Sequence, residues 1–279
     1  MAAVTIPYKL QLRREARSER VFRVFATAAA LLVLALLAGV LLALLYGAWP
    51  ALKTFQFGFL TRTVWNPVTE QFGAFAALYG TVVTSLIAMI LAVPVAFGIA
   101  VFLTETCPMW LRTPISTCIE LLAAVPSIVF GIWGLFVLAV MVLPFITSVM
   151  REVFLATPRS LKEAAYGLGA TQWEVVWDVV LPNARAGVVG GIMLGLGRAL
   201  GETMAVTFVV GNAHRISGSL LAPGTTISAS IANEFTEAVG KLYTSSLIAL
   251  GLLLFVLTFI IIAGARLLLL RLEARGAQL

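Results

Sequence analysis

Two charged residues, Arg198 and Glu202, interrupt an apolar run that extends from about Ala186 to Val210. They are four positions apart, so on a helix they share one face. A charge at bilayer depth is costly, and such residues face a bundle interior or a water-filled path. Arginine offers planar donors that suit the oxygens of an oxyanion. A free carboxylate would repel that anion; paired with the arginine, it tempers the attraction so that the anion is drawn in without being trapped. Thr203 follows the pair and belongs to the same candidate path. The plainer alternative is a mutual salt bridge that locks helix packing. Elsewhere the chemistry is sparse. One histidine, His214, and two cysteines, Cys107 and Cys118, exclude a disulfide scaffold and leave no basis for a histidine metal cluster or a Ser-His-Asp triad.

The elements that must position this pair are helices in lipid. The chain has 279 residues, 61% hydrophobic and 11% charged, with a mean hydropathy of +1.02. A soluble domain carries about 25% charged residues, so a water-soluble enzyme is excluded. Only helices and closed barrels satisfy the backbone in lipid, and the long continuous runs here select helices. The runs are about Phe25 to Trp49, Ala74 to Leu103, Ile115 to Met150, Ala186 to Val210 and Leu247 to Leu270. The net charge is +6, but six of the 19 basic residues precede residue 25. In a membrane protein that clustering sets orientation and is not a nucleic-acid signal. Residues 1–24 then form a cytoplasmic basic segment. A cleavable signal peptide competes, but the apolar run after it is too long for one.

Arg271 and Arg275 place the tail in the cytoplasm, and the four basic residues between Arg151 and Arg185 place that stretch there too. Ile115 to Met150 must therefore cross an even number of times. Two crossings need about 20 residues each plus a turn, and a single helix of this length would be about 54 Å long. The expectation is that residues are missing near 138–140. A short hairpin broken at Gly131, Gly134 and Pro144 is the alternative.

Between Thr157 and Ala184 the chain turns amphipathic. Thr157 as N-cap with Pro158 at the first position starts a helix, and Gly167 and Gly169 break it. A second piece carries Trp173, Val176, Trp177 and Val180 on one face, and Pro182 ends it. Glu163, Ala164, Ala165, Gly169, Val179, Leu181 and Pro182 reproduce the spacing of the EAA motif, with Val for Ile. Small residues let the helix bend into a groove of another protein, and Glu163 supplies a charge there. An interfacial amphipathic helix without a partner is the alternative.

On that motif the chain resembles binding-protein-dependent ABC importer permeases. It is similar in particular to phosphate-importer permeases of the PstC type. The stretches that carry the likeness are Ser18–Phe25, Gln71–Ala88, Ile119–Leu138, Gly195–Ser217, Leu221–Ile227 and Leu257–Glu273. The family has more residues between Leu138 and Ala139. The resemblance implies an all-α polytopic protein with six transmembrane helices and the type I (MetI-like) permease fold. Residues 25–70 would be the first span and an external loop, and 71–272 the permease core, with EAA coupling helices at 157–184. It implies a second, PstA-like permease, a PstB-like ATPase dimer carrying ATP and Mg, and a PstS-like phosphate-binding protein. It also implies a multi-pass protein of the bacterial inner membrane with both termini cytoplasmic. The chain has no Walker A: its only Gly-Lys pair, Gly240-Lys241, is followed by Leu242. No cofactor or metal is expected on it.

Gly187, Gly191, Gly195, Gly197 and Gly201 give small-xxx-small faces in the fifth span, read as packing between the two permeases. Glu120, a turn or so into its span, snorkels to the cytoplasmic interface or contacts a gate. Pro126 and Ser127 mark a mid-span kink. His214 and Arg215, just outside the fifth span, meet phosphate or the binding protein, or cap their loop. Other classes are a permease for sulfate or molybdate, a lone secondary transporter, which would need no docking helix, and a membrane anchor, which gains nothing from charges at depth.

Overall fold

A computed structural model describes residues 8–127, 129, 136–219 and 222–276. The chain divides into two units, Met1–Gly47 and Ala48–Leu279. The first consists of most of α1 (Tyr8–Phe55), whose apolar stretch is exposed along its length. That exposure suits a helix whose surroundings are hydrocarbon.

The second unit begins with the last residues of α1 and a short helix, α2 (Gly58–Thr61). A two-residue antiparallel ladder follows, β1 (Trp65–Asn66) with β2 (Gln71–Phe72), Trp65 opposite Phe72. Next comes α3 (Phe75–Val101), which widens into a π-helical turn over Phe102–Thr106. The chain continues through α4 (Met109–Ala124), α5 (Phe136–Leu155) and α6 (Arg159–Gly167). A three-residue turn, α7 (Gln172–Glu174), passes through a second π-helical turn, Val175–Val180, into α8 (Leu181–Leu200). The last elements are α9 (Met204–Val210), α10 (Ile227–Glu234) and α11 (Lys241–Gly276).

Five helical stretches among the described residues are long and apolar enough to cross a membrane: Val21–Phe55, Phe75–Thr106, Leu138–Leu155, Gln172–Leu200 and Lys241–Leu267. At 16 residues, α4 is shorter than a full crossing. Between α4 and α5 the expected kink is a complete break. Val125 turns extended (φ −67°, ψ 128°) ahead of Pro126, as the residue before a proline prefers. Ser116 and Glu120 of α4 lie beside Thr147, Ser148 and Arg151 of α5 around a small cavity, so the chain has doubled back as a hairpin. Gly131 and Gly134 lie outside the described residues, and Pro144 does not break α5. Residues 138–140 are continuous helix.

The core lies where α3, α5 and α8 meet, around Ala96, Ala100, Ile146, Met150, Phe154, Val180 and Ala184. The glycines of α8 make this packing close. A Cβ at Gly187 would fall 2.3 Å from Val153, and one at Gly195 would fall 2.5 Å from Ile146, while Gly191 faces Val149. Those three therefore pack against α5 of the same chain, which corrects the expectation of a contact between permeases. Gly197 meets nothing within 4 Å and Gly201 only its own helix's backbone.

Gly195→Ala should cost about 1–3 kcal/mol through overpacking against a branched side chain. Gly197→Ala should cost nothing. Thermal unfolding of the two variants in detergent tests the seam, and equal melting points would refute it.

Candidate functional site

The fifth span is not one helix. The α8 helix stops at Leu200, Gly201 (φ −89°, ψ 0°) and Thr203 (φ −112°, ψ −62°) flank the joint, and α9 starts at Met204. Irregular backbone inside an apolar run is tolerated where it is buried in protein or lines a water-filled cavity. Interrupted helices of this sort form substrate sites in membrane transporters. Arg198 and Glu202 bridge the interruption, with the guanidinium 3.7 Å from Glu202 Oε2. The pair therefore does not share one continuous helix, as the spacing had implied. The two side chains are unequal: Glu202 is 6% exposed and Arg198 43%. The Arg198 guanidinium also lies 5.4 Å from the centroid of the Phe145 ring, a cation–π distance. The guanidinium thus stays partly open to its surroundings. Thr203 does not join them: its hydroxyl donates to Gly201 O (3.3 Å), and its carbonyl accepts from Thr207 Oγ1 (2.9 Å).

At the opposite end of the seam, none of α6 is buried. Glu163 and Ala164 are exposed, Ala165 is half-buried, and Leu168 is 90% exposed. Gly169 has φ +89°, a left-handed conformation that ends the helix at little cost only for glycine. Three local expectations need correction. The cap position of α6 is Pro158, and Thr157 is buried with its hydroxyl unpartnered among the described residues. Pro182 does not end the second piece. It occupies the first turn of α8, where a missing N–H is harmless, and the Asn183 side chain donates to Val179 O (2.7 Å). The expected face of Trp173, Val176, Trp177 and Val180 is split. Val176 and Val180 are buried, whereas Trp173 and Trp177 are exposed, their rings 5.3 Å apart. The cause is the π-helical winding over Val175–Val180, which shifts the side-chain period away from 3.6. The second piece is capped by a Thr171–Glu174 capping box.

A family model described as the inner membrane component of binding-protein-dependent transport systems matches residues 96–273. The phosphate transport system permease protein PstC of Mesorhizobium japonicum is 55% identical over 306 aligned positions, covering 95% of this chain and 94% of that protein. The protein of the same name from Xylella fastidiosa strain 9a5c is 49% identical, covering 94% of each. The chain belongs to the family of binding-protein-dependent inner membrane components. The 306 aligned positions outnumber the 279 residues of the chain, so the Mesorhizobium protein has residues within the match that this chain lacks. A bacterial alginate ABC transporter superposes with TM-score 0.62 at 15% identity, covering 88% of this chain and 93% of that one. The inward-facing methionine transporter MetNI gives TM-score 0.58 at 18%, covering 70% and 94%. Those likenesses speak to the fold, which is that of a type I ABC importer permease.

At the other end of this inner membrane component, His214 does not meet the open. Its imidazole stacks on Trp65 (5.0 Å between centroids, 10° between planes) and lies 3.0 Å from Ser230 Oγ and 3.4 Å from Glu234 Oε1. Glu234 also accepts from Trp65 Nε1 and Tyr243 OH, each at 2.6 Å. This network ties the β1–β2 ladder, the 211–226 loop, α10 and α11 together. Sequence inspection missed Trp65, Glu234 and Tyr243, because residues up to 169 positions apart leave no local signal. Arg215, by contrast, is exposed. Its Nε donates to Pro223 O (3.3 Å), and it lines a cavity of about 70 Å³ with Tyr79, Thr84, Ser217 and Thr225. Glu120 is exposed and accepts from Ser116 Oγ (3.2 Å).

Burial holds the His214 imidazole below its usual value, while Glu234 pulls it upward. The unfolded chain therefore takes up its proton first as the pH falls through about 6.5. Stability is complete above that value and declines below it. The detergent-solubilised protein should lose melting temperature between about pH 7 and 5.5, within the range where histidine titrates. His214→Gln should flatten that part of the profile.

Proposed function

We propose that this chain is the permease subunit through which an ATP-driven, binding-protein-dependent importer passes inorganic phosphate. The observation that carries the reading is a half-open Arg198 held by a buried Glu202 at an interrupted span, in a chain 55% identical to a phosphate permease. The guanidinium offsets part of the cost of bringing an anion into low dielectric, and Glu202 limits how tightly it is held. The Glu202 carboxylate also accepts a hydrogen bond from a hydrogen phosphate P–OH, a donor that sulfate lacks at neutral pH. The chain is a transporter subunit and not an enzyme.

The open face of α8, with Gly197, Arg198 and Gly201, is covered by a PstA-like second permease, which completes the path. The exposed surface of Leu161, Glu163, Tyr166, Leu168, Trp173 and Trp177 receives a PstB-like ATPase, which holds ATP and Mg. A PstS-like phosphate-binding protein delivers on the outer side, above Arg215. Both termini are cytoplasmic, in a bacterial inner membrane. With α5 already among the five spans, α4 then makes the sixth crossing, and the two form a hairpin. The residues present in the Mesorhizobium relative belong near 138–140, at the start of α5, where they would lengthen the two short crossings and their outer loop.

Arg198→Gln should abolish phosphate uptake without preventing assembly, and Glu202→Gln should impair it. The exchanged variant, Arg198→Glu with Glu202→Arg, separates path from packing. A structural bridge survives the exchange, whereas a path does not, because the positive charge has moved from the half-open end of α8 to the buried position in the interruption. Near-normal uptake of radiolabelled phosphate, per inserted protein, would return the pair to packing.

Docking is tested apart from the path. Glu163→Lys should lower co-purification of the ATPase subunit and uptake together, while the permease remains in the membrane. Normal values for both would remove Glu163 from the interface.

A further inference from the structure

Lys162 is the charged residue of α6 that turns inward; Arg159 and Glu163 on either side are exposed. Its ammonium meets Glu105 Oε1 at 2.5 Å, and the two side chains are only 15% and 8% exposed. Glu105 belongs to the π-helical turn that ends α3. That turn is held from a second side by Arg112, which donates to Thr104 O at 3.0 Å. Tyr166, one turn along α6 from Lys162, lies near enough to Glu105 that burial and that carboxylate together hold its phenol above the usual value.

A buried ion pair returns little net stability, because desolvation offsets its attraction. What it does supply is a fixed geometry: two donors and acceptors that match in one register only. Here the register is between the helix read as the ATPase dock and the cytoplasmic end of α3. From that end α3 runs about 40 Å to Tyr79, Gly80 and Thr84, which line the outer cavity beside Arg215. Along the way it packs on α5 and α8 through Ala92, Ala96 and Ala100. A displacement of α6 therefore reaches the outer mouth along one continuous helix, with Pro94 in its middle, provided that Lys162 and Glu105 stay joined.

We infer that the Glu105–Lys162 pair is the strut that transmits movement of the ATPase from α6 to α3. The two are positioning residues for coupling. The inference rests on α6 being the ATPase dock.

The test uses the complete importer in proteoliposomes: this chain, the second permease, the ATPase and the binding protein. Glu105→Gln and Lys162→Met should leave ATPase co-purification and basal ATP hydrolysis unchanged. Stimulation of hydrolysis by phosphate-loaded binding protein should fall about tenfold, within the range of coupling between distant sites, and uptake should fall with it. The exchange Glu105→Lys with Lys162→Glu should restore most of the stimulation. Stimulation equal to wild type in the single variants overturns the inference, and so does an exchange that assembles and restores nothing. Where a single variant is lost from the membrane, the neutral pair Glu105→Gln with Lys162→Gln replaces it, and full stimulation there overturns the strut. An ATPase that fails to co-purify with the wild-type chain removes the docking reading itself, and the strut with it.

Discussion

The seam between α5 and α8 depends on two positions where no side chain larger than hydrogen fits, Gly187 and Gly195, and on Gly191 between them, where a methyl group would be tight. Gly187, Gly191 and Gly195 let the α8 backbone approach Val153, Val149, Ile146 and Val142. In lipid there is no hydrophobic drive to bring helices together, so close packing of small residues takes its place. Both functional ends of the molecule hang from this seam. At one end α5 leads within a few residues into α6, and α8 grows out of the π-helical turn that follows α7. Further along, Phe145 of α5 lies against Arg198 of α8. A change in how these two helices meet is felt at both places, because both are built on the ends of α5 and α8.

Three buried carboxylates show how the fold divides charge into fixed and open forms. Glu105 is closed by Lys162, and Glu234 is closed by Trp65, Tyr243 and His214. Each of those joins segments distant in sequence and leaves little donor capacity for a ligand. Glu202 differs, since it is as buried as Glu105 but faces a guanidinium that is 43% exposed and is not within hydrogen-bonding distance. An ion pair stretched across a helix interruption is poorly suited to holding helices together and well suited to sharing its cation with an anion that passes. That asymmetry favours a path over a lock.

Much of this was legible in the amino-acid order. Long apolar runs placed the first, second and last of the long helices, because length and hydropathy are enough in lipid, but the run from Ile115 to Met150 is split between α4 and α5, and the span read from Ala186 begins earlier and stops at Leu200. The spacing from Glu163 to Pro182 placed the cytoplasmic turn, and Gly169 falls where a left-handed residue was needed. Three things were not legible. A 3.6 periodicity cannot foresee a π-helical turn, so the face of Trp173 and Trp177 was misassigned. The direction in which a glycine stripe points depends on which helix comes to meet it, so Gly187, Gly191 and Gly195 were read as facing another subunit. Glu105 and Lys162, 57 positions apart, carry no local pattern at all.

The two π-helical turns, Phe102–Thr106 and Val175–Val180, stand at the end of α3 and the start of α8, beside α6. A wide turn breaks the regular ladder and is found mostly at functional sites, where a helix must redirect without being cut. Each here has a reason. The second precedes Pro182, whose ring would clash with the carbonyl four residues back in an ordinary α-helix. The first carries Glu105 to the point where Lys162 can reach it. Because both turns keep their helices continuous, α6 is joined to α3 through Lys162 and Glu105 and packs against the turn that leads into α8. The far ends of those two helices are the cavity lined by Tyr79, Thr84 and Arg215 and the interruption bridged by Arg198 and Glu202, so the turns at the near ends and the chemistry at the far ends share the same two helices.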